Sequence, residues 1–259
     1  DDAQINGNIF VFSKDTSKNS PIEICKFNKE ISSFTSYFSR YHNKDLQTRA
    51  WNIFNEKNSQ DYFSNLKTRK LGEIATISPG IQTGSDRVSE SHIKKLNLQG
   101  YNINEGIFVV SKDEVRKLHL SNDEMVYIKP FYKSSQIERY YSSLHTDQYI
   151  IVTNEIHNIE DFPNIKKHLL RYKLILDSRY RNYALQKADK EGKWFALYGY
   201  RPNTNFENAK IITPYRSKLN RFSYSDTPYY GSIDVFYIDI YDKNFNIYYV
   251  LAILNSDLI

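Results

Sequence analysis

Three segments of the sequence interleave basic with aromatic side chains, and this pattern suits chemistry on a polyanion. They are Arg171–Tyr183, Lys193–Arg201 and Tyr215–Phe222. Lys and Arg side chains meet phosphates, Arg forks can read base edges, and aromatic rings can stack on bases. The pattern therefore predicts nucleic-acid binding, and a solvated basic face on a protein of another function is an equally weighted alternative.

A glycine-bounded turn is the second candidate contact. Gly80 and Gly84 permit backbone angles that other residues avoid, and the turn between them exposes amides and the Gln82 and Thr83 side chains. A purely structural turn is an equally good interpretation. Trp194 and Phe195 are interpreted as core residues, because large aromatic side chains dominate burial. The candidate nucleic-acid-binding residues are Gln82, Thr83, Arg179, Arg181, Lys193, Arg201, Arg216, Lys218 and Arg221.

The composition favours an acidic partner only modestly. The net charge is +5 and the pI about 8.9, while the 22 tyrosines and 35 basic residues are also expected from an AT-rich genome. The single cysteine, Cys25, rules out an intramolecular disulfide and a Cys-rich zinc site. No signal peptide or apolar run of about 18 residues is present, so we expect a cytoplasmic protein without a membrane partner.

The usual catalytic and cofactor motifs are absent. There is no Gly-rich nucleotide loop and no HExxH, and the six histidines are scattered without metal-ligand spacing. The acidic pairs Asp113-Glu114 and Asp123-Glu124 are interpreted as solvated turns rather than metal ligands. We therefore predict no catalytic residue and no metal site in this chain.

Strand-like segments alternate with polar turns along much of the chain. Asn8–Phe12 and Ile22–Phe27 predict an amino-terminal hairpin, and residues 28–70 predict irregular connections with short helices. Ile247–Ser256 has the length of a helix, and Val235–Tyr241 is left unassigned. Further strands are predicted before Pro79-Gly80 and at Gly106–Val110, Met125–Tyr132, Tyr149–Thr153, Trp194–Arg201, Ala209–Arg216 and Arg221–Ser225.

The clearest helix is predicted from Pro163 to residue 188, with Asp161 as its cap. Spacings of three and four residues define one buried stripe of Ile165, Leu169, Tyr172, Leu176, Tyr180 and Tyr183. The faces of the helix outside this stripe are basic.

Six segments, in order, resemble the carboxy-terminal specificity domain of TaqI-like adenine-specific DNA methyltransferases and type IIG restriction-modification enzymes. Each segment is common by itself, but six in order over more than half the chain make a strong resemblance. They are Leu71–Asp86, Ile128–Tyr141, Phe162–Arg179, Gly192–Asn203, Phe206–Ser217 and Tyr249–Ser256.

The resemblance implies a division of labour. In such enzymes one domain binds S-adenosylmethionine and a flipped adenine, while the specificity domain grips double-stranded DNA. The catalytic tetrapeptide of that first domain ends in Pro-Pro-aromatic, and this sequence has no Pro-Pro and no FxGxG-type cofactor motif. We therefore expect DNA recognition without a catalytic site, with the cofactor bound only by the full-length enzyme.

The predicted fold is α+β: a mixed twisted sheet with flanking helices, preceded by a hairpin left over from a methyltransferase domain. Residues 1–66 are predicted to be the tail and linker of that domain, which the NIFVFSKD segment resembles, and residues 67–259 the specificity domain. Because the chain starts at Asp1 and ends on Leu258-Ile259, we expect a piece of a longer protein, truncated at its carboxyl end. Two alternatives stay open, a metal-dependent nuclease with a divergent site and a tyrosine-rich protein-interaction module.

Overall fold

A computed structural model of the chain describes residues 21–28, 33–42, 68–179 and 183–256. The chain divides into two compact units, Asp1–Thr68 and Arg69–Ile259. In the first unit, strand β1 (Pro21–Asn28) pairs antiparallel with β2 (Ser33–His42). The prediction of irregular structure was therefore wrong for residues 33–42. Residues 8–12, the other predicted strand of the hairpin, lie outside the described residues.

The second unit is α+β, and its described residues form two four-stranded sheets rather than one. Its strands are β3 (Ala75–Pro79), β4 (Val109–Ser111), β5 (Ile128–Tyr132), β6 (Gln148–Ile151), β7 (Lys210–Pro214), β8 (Ser223–Ser225), β9 (Tyr230–Gly231) and β10 (Val235–Ile240). Its helices are α1 (Glu90–Leu96), α2 (Lys112–Lys117), α3 (Asn122–Met125), α4 (Pro163–Arg171), α5 (Lys173–Asp177), α6 (Tyr183–Lys190) and α7 (Ile247–Leu254).

The first sheet has the order β3-β10-β7-β8, and every neighbouring pair is antiparallel. Ile238 of the inner strand lies between Ile77 and Ile211 in the register. Helix α7 covers one face of this sheet, and Val250 and Leu251 pack in its small apolar cluster. The helix is capped by the Asn246 side chain, which accepts a hydrogen bond from the Tyr248 amide at 2.8 Å.

The second sheet has the order β4-β6-β5-β9, with β9 parallel to β5 and the other pairs antiparallel. Its strands are short and apolar, because they are buried against the larger hydrophobic cluster of the unit. That cluster includes Phe108, Phe131, Ile150 and Phe195. The prediction that Phe195 belongs to the core is confirmed, and Trp194 packs against the same cluster at its edge.

The predicted long helix is interrupted. Its apolar stripe is confirmed as far as Leu176, since Ile165, Leu169, Tyr172 and Leu176 are all buried. At Tyr172, however, the backbone turns to φ −101°, ψ 15°, and this separates α4 from α5. Residues 180–182 lie outside the described residues. Tyr172 packs against the His168 ring, so its side chain stays in the core although the helix is interrupted at this residue.

The cap of α4 comes from a distant residue. Asp161 was predicted to cap the helix, but the Asn164 and Ile165 amides donate to the carboxylate of Glu124 at 2.7 and 3.1 Å. Glu124 also accepts from the Ser121 amide at 2.9 Å and is fully buried. Burial alone would disfavour the charged form, but these hydrogen bonds lower the pKa of Glu124. The interpretation of this acid as part of a solvated turn was wrong.

The second acidic pair also has a structural role. The Glu114 carboxylate accepts from the Gly106 amide at 2.7 Å and from the Ser111 amide at 2.6 Å. Burial opposes ionisation, yet these bonds and Arg87 lower the pKa of Glu114. The carboxylate therefore closes the start of α2 and joins it to the preceding loop, so the solvated-turn interpretation fails here too.

Strand prediction was mixed. The strands at β3, β7 and β8 and the helix α7 are confirmed, but Met125 ends a helix rather than starting a strand. Residues 194–201 form turns instead of a strand. Phe195, Ala196 and Leu197 are buried in succession, which departs from the two-residue alternation of a half-buried strand. Across residues 68–179 and 183–256, no helix is long and apolar enough to span a membrane.

Candidate nucleic-acid interface

The candidate side chains are gathered by the topology of the first sheet. Since neighbouring strands are antiparallel, the carboxyl ends of β3 and β7 lie beside the amino ends of β10 and β8. Segments 80–84, 215–222 and 232–234 lie at this end of the strands, which we call the loop end of the sheet. The Gly80 amide bonds to Val235 of β10, and Val235 pairs with Pro214 of β7. The turn that starts at Gly80 and the loop that starts at Tyr215 are therefore two strand spacings apart, about 10 Å.

The Gly80–Gly84 turn is fixed by backbone hydrogen bonds to other segments of the unit. The amides of Gly80, Ile81 and Gln82 donate to the carbonyls of Val235, Gly231 and Gly199, respectively, at 2.7 to 2.9 Å. These three amides therefore have internal partners, contrary to the expectation that they meet DNA. The Gln82 side chain is exposed.

The two glycines of the turn have different roles. A Cβ on Gly80 would lie 2.2 Å from the Ser232 carbonyl oxygen, so only glycine fits this close approach. Gly84 has φ +79°, the left-handed region that glycine adopts without strain. The predicted structural role of both glycines therefore has a geometric basis.

Thr83 is buried and used internally. Its hydroxyl donates to Asp86 Oδ1 at 2.5 Å and accepts from the Ser85 amide at 3.1 Å. The second Asp86 oxygen accepts from Lys133 Nζ at 2.8 Å. Thr83 therefore fixes the turn and presents no hydroxyl to a ligand.

Arg179 ties the turn to two other segments. Its guanidinium donates from Nη1 to the Thr83 carbonyl at 2.7 Å and from Nη2 to the Ala196 carbonyl at 3.2 Å. Nε donates to the Leu176 carbonyl at 3.2 Å, and the group lies 5.0 Å from the centre of the Phe108 ring. This arginine caps the carboxyl end of α5 and fixes the Gly80–Gly84 turn at the loop end.

The Tyr215–Arg221 loop is the open part of the loop end. Arg216 and Lys218 are exposed, and the Arg216 guanidinium lies 5.5 Å from the centre of the Tyr215 ring. Tyr215 itself stacks on Phe236 at 5.3 Å. Arg221 is only partly exposed, because it bonds to Ser217 at 3.0 Å and approaches Glu138 at 3.6 Å. The loop therefore offers two solvated cations, of which Arg216 rests on an aromatic ring.

The carboxyl end of the loop is anchored to helix α7. The Asn255 side chain, which is fully buried, accepts from the Phe222 amide at 3.0 Å and donates to the Phe222 carbonyl at 2.8 Å. Asn220 donates to the Ser256 carbonyl at 3.2 Å. This anchoring was not predicted, since an LNS tripeptide gives no sign that its Asn would bond to the backbone of a residue 33 positions earlier, just before β8.

The remaining predicted cations are more dispersed. Arg201 is exposed and lines an open groove of about 340 Å³ with Asn154, Ala188 and Ala196–Tyr200. It lies near the loop end through the Gly199–Gln82 bridge. Lys193 is half-exposed just after α6. Arg181 lies outside the described residues.

A buried lysine was missed by the sequence analysis. Lys210 Nζ donates to the Phe206 carbonyl at 2.8 Å and to the Thr227 carbonyl at 2.6 Å. Burial lowers the pKa of Lys210 to about 8, and Glu207, Asp226 and Asp239 act in the opposite direction. Because it occupies the first position of an apolar strand, its pattern resembles an ordinary polar strand end. The ammonium braces the 206–210 turn and has no access to a ligand.

No group of three or more His, Cys, Asp or Glu side chains that could hold a metal ion occurs within the part of the chain that the structure describes. His168 is partly buried, and its Nε2 is 2.8 Å from the Ile107 carbonyl. Burial lowers the pKa of His168 below its usual value of 6.5. Its role is structural.

The carboxy-terminal part of the chain is similar to a known protein family. Residues 163–259 match the model of the TaqI-like C-terminal specificity domain, and this stretch includes the Tyr215–Arg221 loop, Arg179, Lys193 and Arg201. The expected resemblance is thereby confirmed for the carboxy-terminal part of the chain. No curated protein matches the sequence.

One solved structure in the comparison is that of the type IIL restriction-modification enzyme MmeI in complex with DNA. The TM-score is 0.49 and the sequence identity 12%, and the alignment covers 94% of this chain. It covers 27% of the MmeI chain, so this chain spans about a quarter of that protein's length.

Proposed function

We propose that this chain recognises duplex DNA as the specificity domain of an adenine-specific DNA methyltransferase or type II restriction-modification enzyme. The observation that carries the proposal is the match of residues 163–259 to a specificity-domain family, together with the exposed cations of the Tyr215–Arg221 loop inside that match. DNA is the polyanion that such a domain of a restriction-modification enzyme would select.

We propose different tasks for the candidate residues. Exposed side chains at the loop end, Gln82, Arg216 and Lys218, are proposed to reach base edges or phosphates, with Arg201 beside them. Lys193 is proposed as a phosphate contact and Arg221 as a partly paired one. Thr83 and Arg179 are positioning residues, because their polar groups are committed to the protein. Arg181 stays a candidate from the sequence alone.

The rest of the parent enzyme is part of the same proposal. S-adenosylmethionine and the flipped adenine would be bound by a linked methyltransferase domain, of which residues 1–66 would be the tail. We propose that the chain by itself transfers no methyl group and acts in the bacterial cytoplasm. Calorimetric titration with S-adenosylmethionine tests the first part, and a stoichiometric heat of binding to this chain would contradict it.

Salt dependence of duplex binding is the decisive test. Each phosphate neutralised releases about 0.9 counterion, so four contacts raise Kd roughly 100-fold between about 50 mM and about 200 mM salt. The measurement is fluorescence anisotropy of a labelled mixed-sequence duplex titrated with the full chain. Sequence preference should be detectable but weaker than in the full enzyme.

The outcomes also separate the alternatives. No binding of any duplex at low salt would leave the protein-interaction module as the better explanation. Cleavage of the duplex on addition of Mg²⁺ or Mn²⁺, abolished by a chelator, would favour the metal-dependent nuclease instead.

A further inference from the structure

A strained hairpin projects beside the Tyr215–Arg221 loop. Ile137 and Ser142 form an antiparallel bridge, and the Glu138 amide donates to the Tyr141 carbonyl at 2.7 Å, which leaves residues 138–141 as its tip. Tyr140 has φ +67°, a left-handed conformation that a bulky residue adopts at a cost. The tip is therefore held in shape by the surrounding structure rather than by its own preference.

The restraint on Tyr140 comes from the loop end itself. Its amide donates to the Phe222 carbonyl at 2.8 Å, and it forms a parallel bridge with Ser223. Phe222 is in turn fixed by Asn255, as described above. The hairpin tip and the Tyr215–Arg221 loop consequently form one rigid surface, with Glu138 and Arg221 approaching each other across it.

This surface exposes aromatic and aliphatic side chains instead of burying them. Tyr140 is 52% exposed and Tyr141 63%, while Leu219 on the neighbouring loop is 78% exposed. A fixed cluster of exposed apolar side chains on a folded domain marks an interaction site. The strain at Tyr140 therefore keeps a ring in solvent where a partner can reach it.

The charges around the rings indicate which partner fits. The Arg139 guanidinium lies 5.6 Å from the Tyr140 ring centre, as Arg216 lies 5.5 Å from that of Tyr215. The neighbouring loop adds the exposed cations Arg216 and Lys218, which favour an acidic or polyanionic partner. Alternating rings and cations suit a nucleic acid, in which stacked bases and sugars lie next to phosphates.

We propose that Tyr140 and Tyr141 form a second DNA contact of this chain, an aromatic tip that enters a groove of the duplex beside the Tyr215–Arg221 loop. This inference rests on the proposed function and extends it to residues outside the matched family region. The tip supplies the part of the binding that does not depend on counterion release, since tyrosine neutralises no phosphate.

The test uses the full chain and a labelled mixed-sequence duplex of about 30 base pairs, roughly three helical turns. Tyr140→Ala and Tyr141→Ala should each weaken binding about tenfold. The slope of log Kd against log salt should equal that of the unmodified chain, because no cation is lost. Tyr141→Phe should retain most of the affinity, since the ring is kept.

Two further variants protect the test against misfolding. Tyr140→Gly removes the ring and suits a positive φ, so this variant should fold at least as well and still lose affinity. Tyr241→Ala is the matched control, because Tyr241 is 57% exposed at the opposite end of the same sheet. It should bind DNA like the unmodified chain.

If the unmodified chain binds the duplex and the three variants without a ring at position 140 or 141 bind equally well, the tip is not a DNA contact. The proposed function would then still stand. If the unmodified chain binds no duplex at low salt, the proposed function fails and the aromatic tip fails with it. A change of the salt slope in Tyr140→Gly would also overturn the proposal, since it would show loss of the cationic contacts instead.

Discussion

Arg179 and Arg216 belong to the same kind of basic-aromatic segment, yet the structure uses them in opposite ways. The guanidinium of Arg179 donates to three backbone carbonyls and supports the Gly80–Gly84 turn. Arg216 is exposed and rests on the ring of Tyr215. The interior arginine fixes the shape of the loop end and the exterior one is available to a ligand. The sequence pattern is the same for both, so only their surroundings separate support from contact.

The largest effect is expected from Arg179→Ala. The change leaves the carbonyls of Thr83, Leu176 and Ala196 without their charged donor, so the free energy of unfolding should fall by about 2–4 kcal/mol. Urea denaturation followed by circular dichroism measures it. Arg179→Lys should recover little, because a single ammonium cannot span three acceptors in a plane. An unchanged midpoint accompanied by weaker DNA binding would reverse the roles assigned to the two arginines.

A smaller effect, confined to binding, is expected from Arg216→Ala. Stability should change by less than about 0.5 kcal/mol, because the side chain is exposed. Affinity for the preferred duplex should fall by about 1–3 kcal/mol if the fork meets a base edge. Anisotropy titrations against a panel of duplexes, chosen by selection from a random library, measure both affinity and preference.

The matched variant for Arg216→Ala is Lys193→Ala. It should weaken all duplexes about equally and reduce the salt slope by about one. Equal losses on every duplex for both variants would mean that Arg216 contacts a phosphate, and the comparison between base and phosphate contacts would then fail.

The smallest effect concerns pH and the interior side of the comparison. Burial lowers the pKa of His168, so the folded chain keeps it neutral while the unfolded chain takes up a proton below about pH 6.5. Stability should therefore fall as the pH decreases from about 7.5 to about 5.5. His168→Gln should flatten this part of the curve, measured by urea denaturation at several pH values. His92, whose pKa burial and Lys95 also lower, leaves a residual slope.

Local signals were enough to predict several elements. The apolar runs of β3, β7 and α7 end in turn or capping residues, and each was found close to its predicted limits. The buried stripe of Ile165, Leu169 and Leu176 was likewise visible as a spacing. These features depend on residues close together in the chain, so a single sequence contains the information.

Long-range contacts explain what was missed. The cap of α4 is Glu124, 40 residues before Asn164, and no local pattern connects the two. Trp194–Arg201 has strand composition, but Arg179 and the Thr153 hydroxyl bind its carbonyls and fix it in turns. The sequence analysis singled out the turn and the Tyr215–Phe222 segment, and the topology of the first sheet brings both to its loop end. The internal tasks of Thr83 and Arg179 and the positive φ of Tyr140 arise only when distant segments pack.

The close approach at Gly80 separates what can vary from what cannot. A side chain there would collide with the Ser232 carbonyl oxygen, and Gly231 is equally confined, with Val235 only 2.6 Å from its would-be Cβ. Residues 216–219 and 138–141 are exposed and face no backbone collision of this kind, and the positive φ of Tyr140 favours glycine or asparagine at that one position. A mutant library built to redirect this chain to another target would randomise these two tips and leave the glycine contact untouched. The fold would then stay unchanged while variants with new binding preferences are selected.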